Sequence, residues 1–193
     1  MLATSTIKDL SFSEAAKSID AGAAFVDLRP VEQYLDVHIP GSLSLLYESG
    51  PGFQSRARDC IPLSVPLILL EREGVDMVNA AASLRGRGFN VPGQVTDGIN
   101  EWSRWYGTPA STETYRGPEP TQGLVLDVSD PGAIPLDNAT QVPIEKLWSR
   151  SGEVAGESRV FVAAGRGVRA ALAVGILERA GTPDIIYWNT LSG

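Results

Sequence analysis

Hydrophobic positions recur with more than one period along this chain. Phe12, Ala15, Ala16 and Ile19 fall on one face at helical spacing, which predicts an amphipathic helix over residues 11–20. Ser11 and Glu14 stand at the spacing of a capping box, and Gly22 supplies the stop. The run 23–28 is short and apolar, carries Asp27 near its end and leads into Arg29, the pattern of a strand buried in a parallel sheet. Pro40 and Gly41 make a turn before a second strand at 42–46. A third apolar run, 66–70, predicts a central strand. The polar loop 71–76 follows it, then a helix over 77–85 with Gly86 and Gly88 at its end. A last strand begins at Val95, and a closing helix over 98–106 carries Trp102 and Trp105. Strands alternating with helices predict an α/β domain with an open, mainly parallel sheet flanked by helices.

After this the pattern lapses. Residues 107–123 are rich in Gly, Pro, Ser, Thr and Glu and show little periodicity, so the chain divides into a domain over 1–107, a linker over 108–122 and a second, reduced α/β domain over 123–193. In the second domain the pattern predicts strands at 124–128, 159–163 and 185–188. A short helix follows Pro143, marked by Ile144, Leu147 and Trp148, and a longer helix covers 168–180. The halves repeat. Glu71, Gly74, Ala80, Leu84 and Gly88 correspond to Ala164, Gly167, Ala173, Leu177 and Gly181, each 93 positions later. Matched positions on one strand–loop–helix pattern point to an internal duplication.

Composition narrows the chemistry. The net charge of −7 disfavours nucleic acid and anionic membranes as partners, since both need clustered Lys and Arg. No apolar run approaches a membrane span, and the first ten residues lack a signal-peptide pattern, so the expectation is a cytoplasmic protein. The single cysteine, Cys60, rules out an internal disulfide and a cysteine zinc cluster. The single histidine, His38, rules out a multi-histidine metal site. No metal and no cofactor are expected.

The first half holds Asp27-Leu28-Arg29, Glu32-Gln33-Tyr34 and His38-Ile39-Pro40-Gly41-Ser42, then the strand 67–70 leading into Glu71 and Gly74, then Leu84, Gly88, Phe89, Asp97-Gly98 and Trp102. This series resembles the rhodanese family of sulfurtransferases over nearly all of residues 11–106, with Val37 where the family usually has glycine. The second half resembles it mainly from Arg159 onward. The resemblance implies two rhodanese-like domains in tandem. It also implies a loop after the central strand in which a cysteine thiolate, held by backbone N–H groups at a helix start, would attack a sulfane sulfur and carry it as a persulfide. His38 is then part of a structural turn.

The chain departs from that pattern where it matters. The register of Gly74, Leu84 and Gly88 places Glu71 at the cysteine position, and the same register places Ala164 there in the second half. Neither can form a persulfide. The degenerate loop positions are therefore Glu71, Gly74 and Asp76 in the first half and Ala164, Gly167 and Arg169 in the second. The expectation is a non-catalytic relative with a binding or regulatory role in sulfur metabolism. The Glu71 carboxylate is expected to fill the N–H nest as an internal anion. Arg166, Gly167, Val168 and Arg169 are a candidate site for a small anion, and an anion-sensing module is one alternative. The other is sulfur transfer through Cys60, which otherwise reads as a structural thiol. Gly165, Gly167 and Ala170 also fit a loose dinucleotide fingerprint, but no acidic residue supports it on the next strand. The segment 50–70 is similar to rhodanese repeats fused to metallo-β-lactamase-fold persulfide dioxygenases. That similarity implies a protein partner in sulfide or persulfide metabolism, and a homo-oligomer is compatible with it.

Overall fold

The structure is a computed structural model in which residues 6–48, 52–133, 136–163 and 167–190 are described. Helix α1, Phe12–Asp20, starts on the capping box: Ser11 Oγ accepts from Glu14 N–H, and Glu14 Oε2 accepts from Ser11 N–H at 2.9 Å. Such a cap contributes about 1 kcal/mol. Strand β1, Ala24–Asp27, is followed by two short elements, helix α2, Val31–Asp36, and strand β2, Leu43–Ser44. Helix α3, Gly52–Cys60, leads to strand β3, Leu67–Leu70, helix α4, Met77–Gly86, strand β4, Gly93–Val95, and helix α5, Gly98–Tyr106. Helices α2 and α3 lack the apolar spacing that would announce them, and β2 is shorter than the 42–46 run suggests.

The first sheet runs β2-β1-β3-β4, all parallel. Asp9 adds a parallel bridge to Gln94 on its β4 edge. One face is covered by α1 and α5, which bury Phe12, Ala15, Phe25, Ile68 and Val95 in a core of their own.

The stretch expected to be a linker is not structureless. It contains strand β5, Glu113–Tyr115, which joins the second sheet by pairing with its last strand. A three-residue edge strand with a half-exposed surface has no apolar alternation to betray it. Strand β6, Leu124–Asp127, strand β7, Thr140–Gln141, and helix α6, Ile144–Arg150, follow. Strand β8, Val160–Ala163, helix α7, Val168–Arg179, and strand β9, Ile185–Trp188, complete the described chain. The second sheet runs β5-β9-β8-β6-β7, again all parallel.

Helix α7 is the central piece of the architecture. Every residue of 170–177 is buried. An α-helix that is apolar all round must be covered all round, and α7 packs on β8 and β9 of its own sheet, on α6, and on β2 and α2 of the first sheet. The main core is accordingly continuous, running from Val26, Leu43 and Leu69 to Leu126, Val162 and Leu172. The two sheets thus bury apolar surface that neither hides alone. Arg179, at the end of α7, reaches across to donate to the carbonyls of Ala23 and Gly22, and its guanidinium lies 5.4 Å from the centre of the Trp148 ring.

Candidate functional site

Parallel sheets put their loops and helix starts at the carboxyl ends of the strands, and crevices form there. On the first sheet, the ends of β1, β3 and β4 surround a cavity of about 300 Å³ lined by Asp27, Arg29, Val37, Leu70, Glu71 and Asp97 to Asn100. Asp27 is 1% exposed. Its Oδ1 accepts from the Arg29 backbone N–H at 3.0 Å, and Arg29 Nη2 donates to Oδ2 at 2.7 Å. The same Nη2 donates to the Val37 carbonyl at 2.6 Å, so the guanidinium is held from two sides. Arg72, the cation of the loop itself, donates to the Leu28 carbonyl at 2.6 Å. Both arginines are spent on structure.

Glu71 stands at the mouth of this cavity. Its backbone N–H donates to Val95 O at 2.9 Å, continuing the β3–β4 ladder. Its side chain is exposed and makes no hydrogen bond or ion pair among the described residues. The expectation that it fills the loop's N–H nest is therefore corrected. The start of α4 is served by Asp76 instead, whose Oδ1 accepts from Asn79 N–H at 3.0 Å. Asp97 closes the rim in a left-handed conformation (φ 52°), with Asn100 Nδ2 donating to its Oδ1 at 2.6 Å. An open crevice with the carboxylates of Glu71 and Asp97 at its edge repels small anions and offers no sulfur nucleophile.

In the second half, Ala164, Gly165 and Arg166 lie outside the described residues. Gly167 adopts φ +77°, the counterpart of Gly74 at φ +78°. The Tyr187 hydroxyl sits against Gly167 where a side chain would begin. Val168 opens α7. Arg169 is not free for a ligand. It donates to Glu145 Oε1 and to Asp130 Oδ1, each at 2.7 Å, and the expectation of an anion-binding arginine meets two carboxylates already in place.

A further cavity, about 270 Å³, opens between α2 and the β5–β9 edge, lined by Glu32, Asp36, Thr112, Arg116, Tyr187 and Asn189 among others. Burial pushes the Tyr187 phenol upward; the Glu32 carboxylate adds to this and Arg116 opposes it. The sequence carries no sign of this cleft, because it joins three segments far apart in the chain.

Cys60 ends α3 and is 3% exposed. It lines neither cavity. Burial pushes its thiol up to about 12, the Glu145 carboxylate adding to the effect and Arg169 opposing it. A thiol so buried and so hard to ionise is a poor nucleophile. His38 is fully buried, stacked 4.1 Å from the Tyr34 ring. Among the described residues, no group of three or more His, Cys, Asp or Glu side chains is arranged to hold a metal ion, and no helix is long and apolar enough to cross a membrane.

A family model described as the rhodanese-like domain matches residues 11–104. The match takes in the whole of the first sheet and just under half of the chain. No curated protein matches the chain. Among solved structures, a thiosulfate sulfurtransferase from Pseudomonas aeruginosa is similar at 17% identity and a TM-score of 0.43, over 96% of this chain and 43% of that one. A 3-mercaptopyruvate sulfotransferase from Escherichia coli is similar at 16% identity and a TM-score of 0.41, over 95% of this chain and 98% of that one. The chain thus spans under half the length of the Pseudomonas protein. Within the matched residues, Glu71 follows the last residue of β3, where the loop begins.

Proposed function

We propose that this is a non-catalytic rhodanese-like protein with a binding or regulatory role linked to sulfur metabolism. One observation carries the reading: the loop after β3 opens on an exposed carboxylate, Glu71, while the chain's single thiol is buried in the core away from both crevices. A carboxylate cannot hold a sulfane sulfur, and a neutral buried thiol does not attack one. Binding of a protein partner that itself handles sulfide or persulfide fits an acidic surface without a reactive sulfur.

The second half is, in this reading, a degenerate copy of the first. Several features support it. The sheet orders correspond strand for strand when β1, β2, β3 and β4 are set against β6, β7, β8 and β9. Asp27 and Asp127 end equivalent strands, and each accepts the backbone N–H two residues on. Leu70 pairs with Val95, and Ala163 with Trp188, at the same separation of 93 residues that relates Gly74 to Gly167.

The test is a thiosulfate:cyanide sulfur-transfer assay on the purified protein, with intact mass measured after thiosulfate treatment. The expected result is no turnover and no added sulfur. Turnover with a sulfur adduct mapped to Cys60 overturns the proposal.

A further inference from the structure

The two halves are joined at one point by a contact whose hydrogen bonds do not balance unless an extra proton is present. His38 Nδ1 lies 2.8 Å from the Tyr34 carbonyl. A carbonyl only accepts, so Nδ1 carries a hydrogen. In a neutral imidazole the other nitrogen then bears a lone pair. Yet His38 Nε2 lies 2.9 Å from Glu178 Oε1, and the second oxygen, Oε2, accepts the Gly41 N–H at 2.7 Å. A lone pair facing a carboxylate oxygen repels it. From this geometry we infer that one proton is held between His38 Nε2 and Glu178 Oε1, forming a clasp between the first rhodanese-like domain and the end of α7 that loosens when the solution turns alkaline.

The surroundings agree. His38 is fully buried and Glu178 largely so, its side chain 18% exposed, so water cannot easily satisfy a mismatched pair. Glu178 lies in the last turn of α7, where the helix dipole disfavours a bare carboxylate and favours a cation. The other charged and titratable groups about the clasp are few. On the first domain they are Tyr34, whose hydroxyl donates to Ser42 O, and the Asp27–Arg29 pair, tied to the neighbouring Val37 carbonyl. On α7 there is Arg179, occupied with the Gly22 and Ala23 carbonyls. Among the described residues none of them donates to the histidine–carboxylate pair, which leaves the proton as its bridge beyond the Gly41 N–H. The inference does not rest on the proposed function.

Because the chain has one histidine, its ring nitrogens give an unambiguous nitrogen NMR signal. In the intact protein near neutral pH, both nitrogens are expected to carry protons, or Nε2 to show a lone pair facing a protonated Glu178 carboxyl. A lone-pair Nε2 together with an ionised Glu178 carboxyl, the latter read from the carbon shift of that carboxyl, overturns the inference, and neither readout needs a variant. The second arm compares thermal melting of the wild type and Glu178→Gln from about pH 6 to 8.5, where the Cys60 thiol, common to both proteins, contributes equally to each. A glutamine can donate its amide hydrogen to a neutral Nε2 and still accept the Gly41 N–H, so it needs no trapped proton. A folded state that holds a proton the unfolded chain releases loses stability as pH rises. The wild type is expected to lose roughly 3–6 °C more than the variant across the window. Parallel profiles for the two proteins overturn the clasp.

Discussion

The two strand–loop–helix units of this protein share a strand, a glycine of positive φ and a following helix, and differ in what surrounds them. Each passes from a central strand, β3 or β8, through a loop with a left-handed glycine, Gly74 or Gly167, into a helix, α4 or α7. On α4, Met77, Ala80, Ala81 and Leu84 are buried while the other face meets water. On α7 the whole middle of the helix is buried between two sheets. The glycine of the first loop has open space around it; the glycine of the second is pressed by the Tyr187 hydroxyl. A loop rooted in a half-exposed helix has room to vary, as Glu71 does by pointing into solvent. A helix start wedged at the centre of the molecule, as at Gly167 and Val168, is constrained by everything the helix touches. The second unit therefore holds the architecture together.

One methyl group added to each helix tests this contrast most severely. Gly175 lies in α7 against the Ser42 backbone carbonyl, and a Cβ there would fall well inside the oxygen's contact distance, with the Tyr34 hydroxyl 3.0 Å away. Neither α7 nor the turn at Ser42 is free to shift. Gly175→Ala is expected to cost about 3 kcal/mol, toward the upper end for overpacking, and to lower Tm by roughly 6–12 °C. Gly86, in the last turn of α4, has open space where a side chain's first carbon would lie. Gly86→Ala should be neutral or stabilising by about 0.5–1 kcal/mol, since alanine is the better helix former. Thermal melts of the two variants check this. Equal effects would mean that α7 is not held rigidly between the two sheets.

The loop glycines offer a finer cut. Both sit at φ near +78°, so alanine at either position carries the cost of a left-handed backbone, about 1–2 kcal/mol. At Gly74 nothing else is added. At Gly167 the new methyl also meets the Tyr187 hydroxyl, on a ring that is itself buried. Gly167→Ala is expected to be the more destabilising by about 1 kcal/mol. A double variant, Gly167→Ala with Tyr187→Phe, should recover most of that excess, and chemical denaturation of the four proteins measures it.

Much of this was legible along the chain. Strands β1, β3 and β8 are short apolar runs between turn residues, and α1 announces itself by spacing and by Ser11 and Glu14. The 93-residue register between the loops agrees with the strand pairing because it rests on glycines whose conformation the fold requires. What stayed hidden depends on partners distant in sequence. The segment 166–169 reads as a cationic loop, but Asp130 and Glu145 neutralise Arg169 from two other segments. Glu71 looks like an anion for a nest, but the capping position goes to Asp76, five residues on, because a shorter side chain there reaches the N–H group directly. Strand β5 has no pattern of its own and exists because β9 offers an edge. His38 reads as part of a turn, and nothing near it in sequence points to Glu178.

The smallest effect separates the two units at their seam. Cys60 closes α3 of the first, and its thiol feels Glu145 and Arg169 of the second. Cys60→Ala removes one buried atom and should cost roughly 1 kcal/mol at neutral pH. That cost should not persist in alkali. In the folded protein the thiol is raised to about 12, whereas in the unfolded chain it ionises near the ordinary thiol value of about 8.5–9. Between those limits the unfolded wild type releases a proton that the folded protein keeps. The wild type therefore loses stability as pH climbs, by about 1.4 kcal/mol per pH unit once the free thiol is ionised. The alanine variant has no such proton to lose. Urea denaturation of both proteins should thus show the wild type ahead at about pH 7, the two level at about pH 9.5, and the variant ahead above that. A constant gap would place Cys60 in contact with water, which would reopen the seam between the units and restore the thiol as a candidate sulfur acceptor.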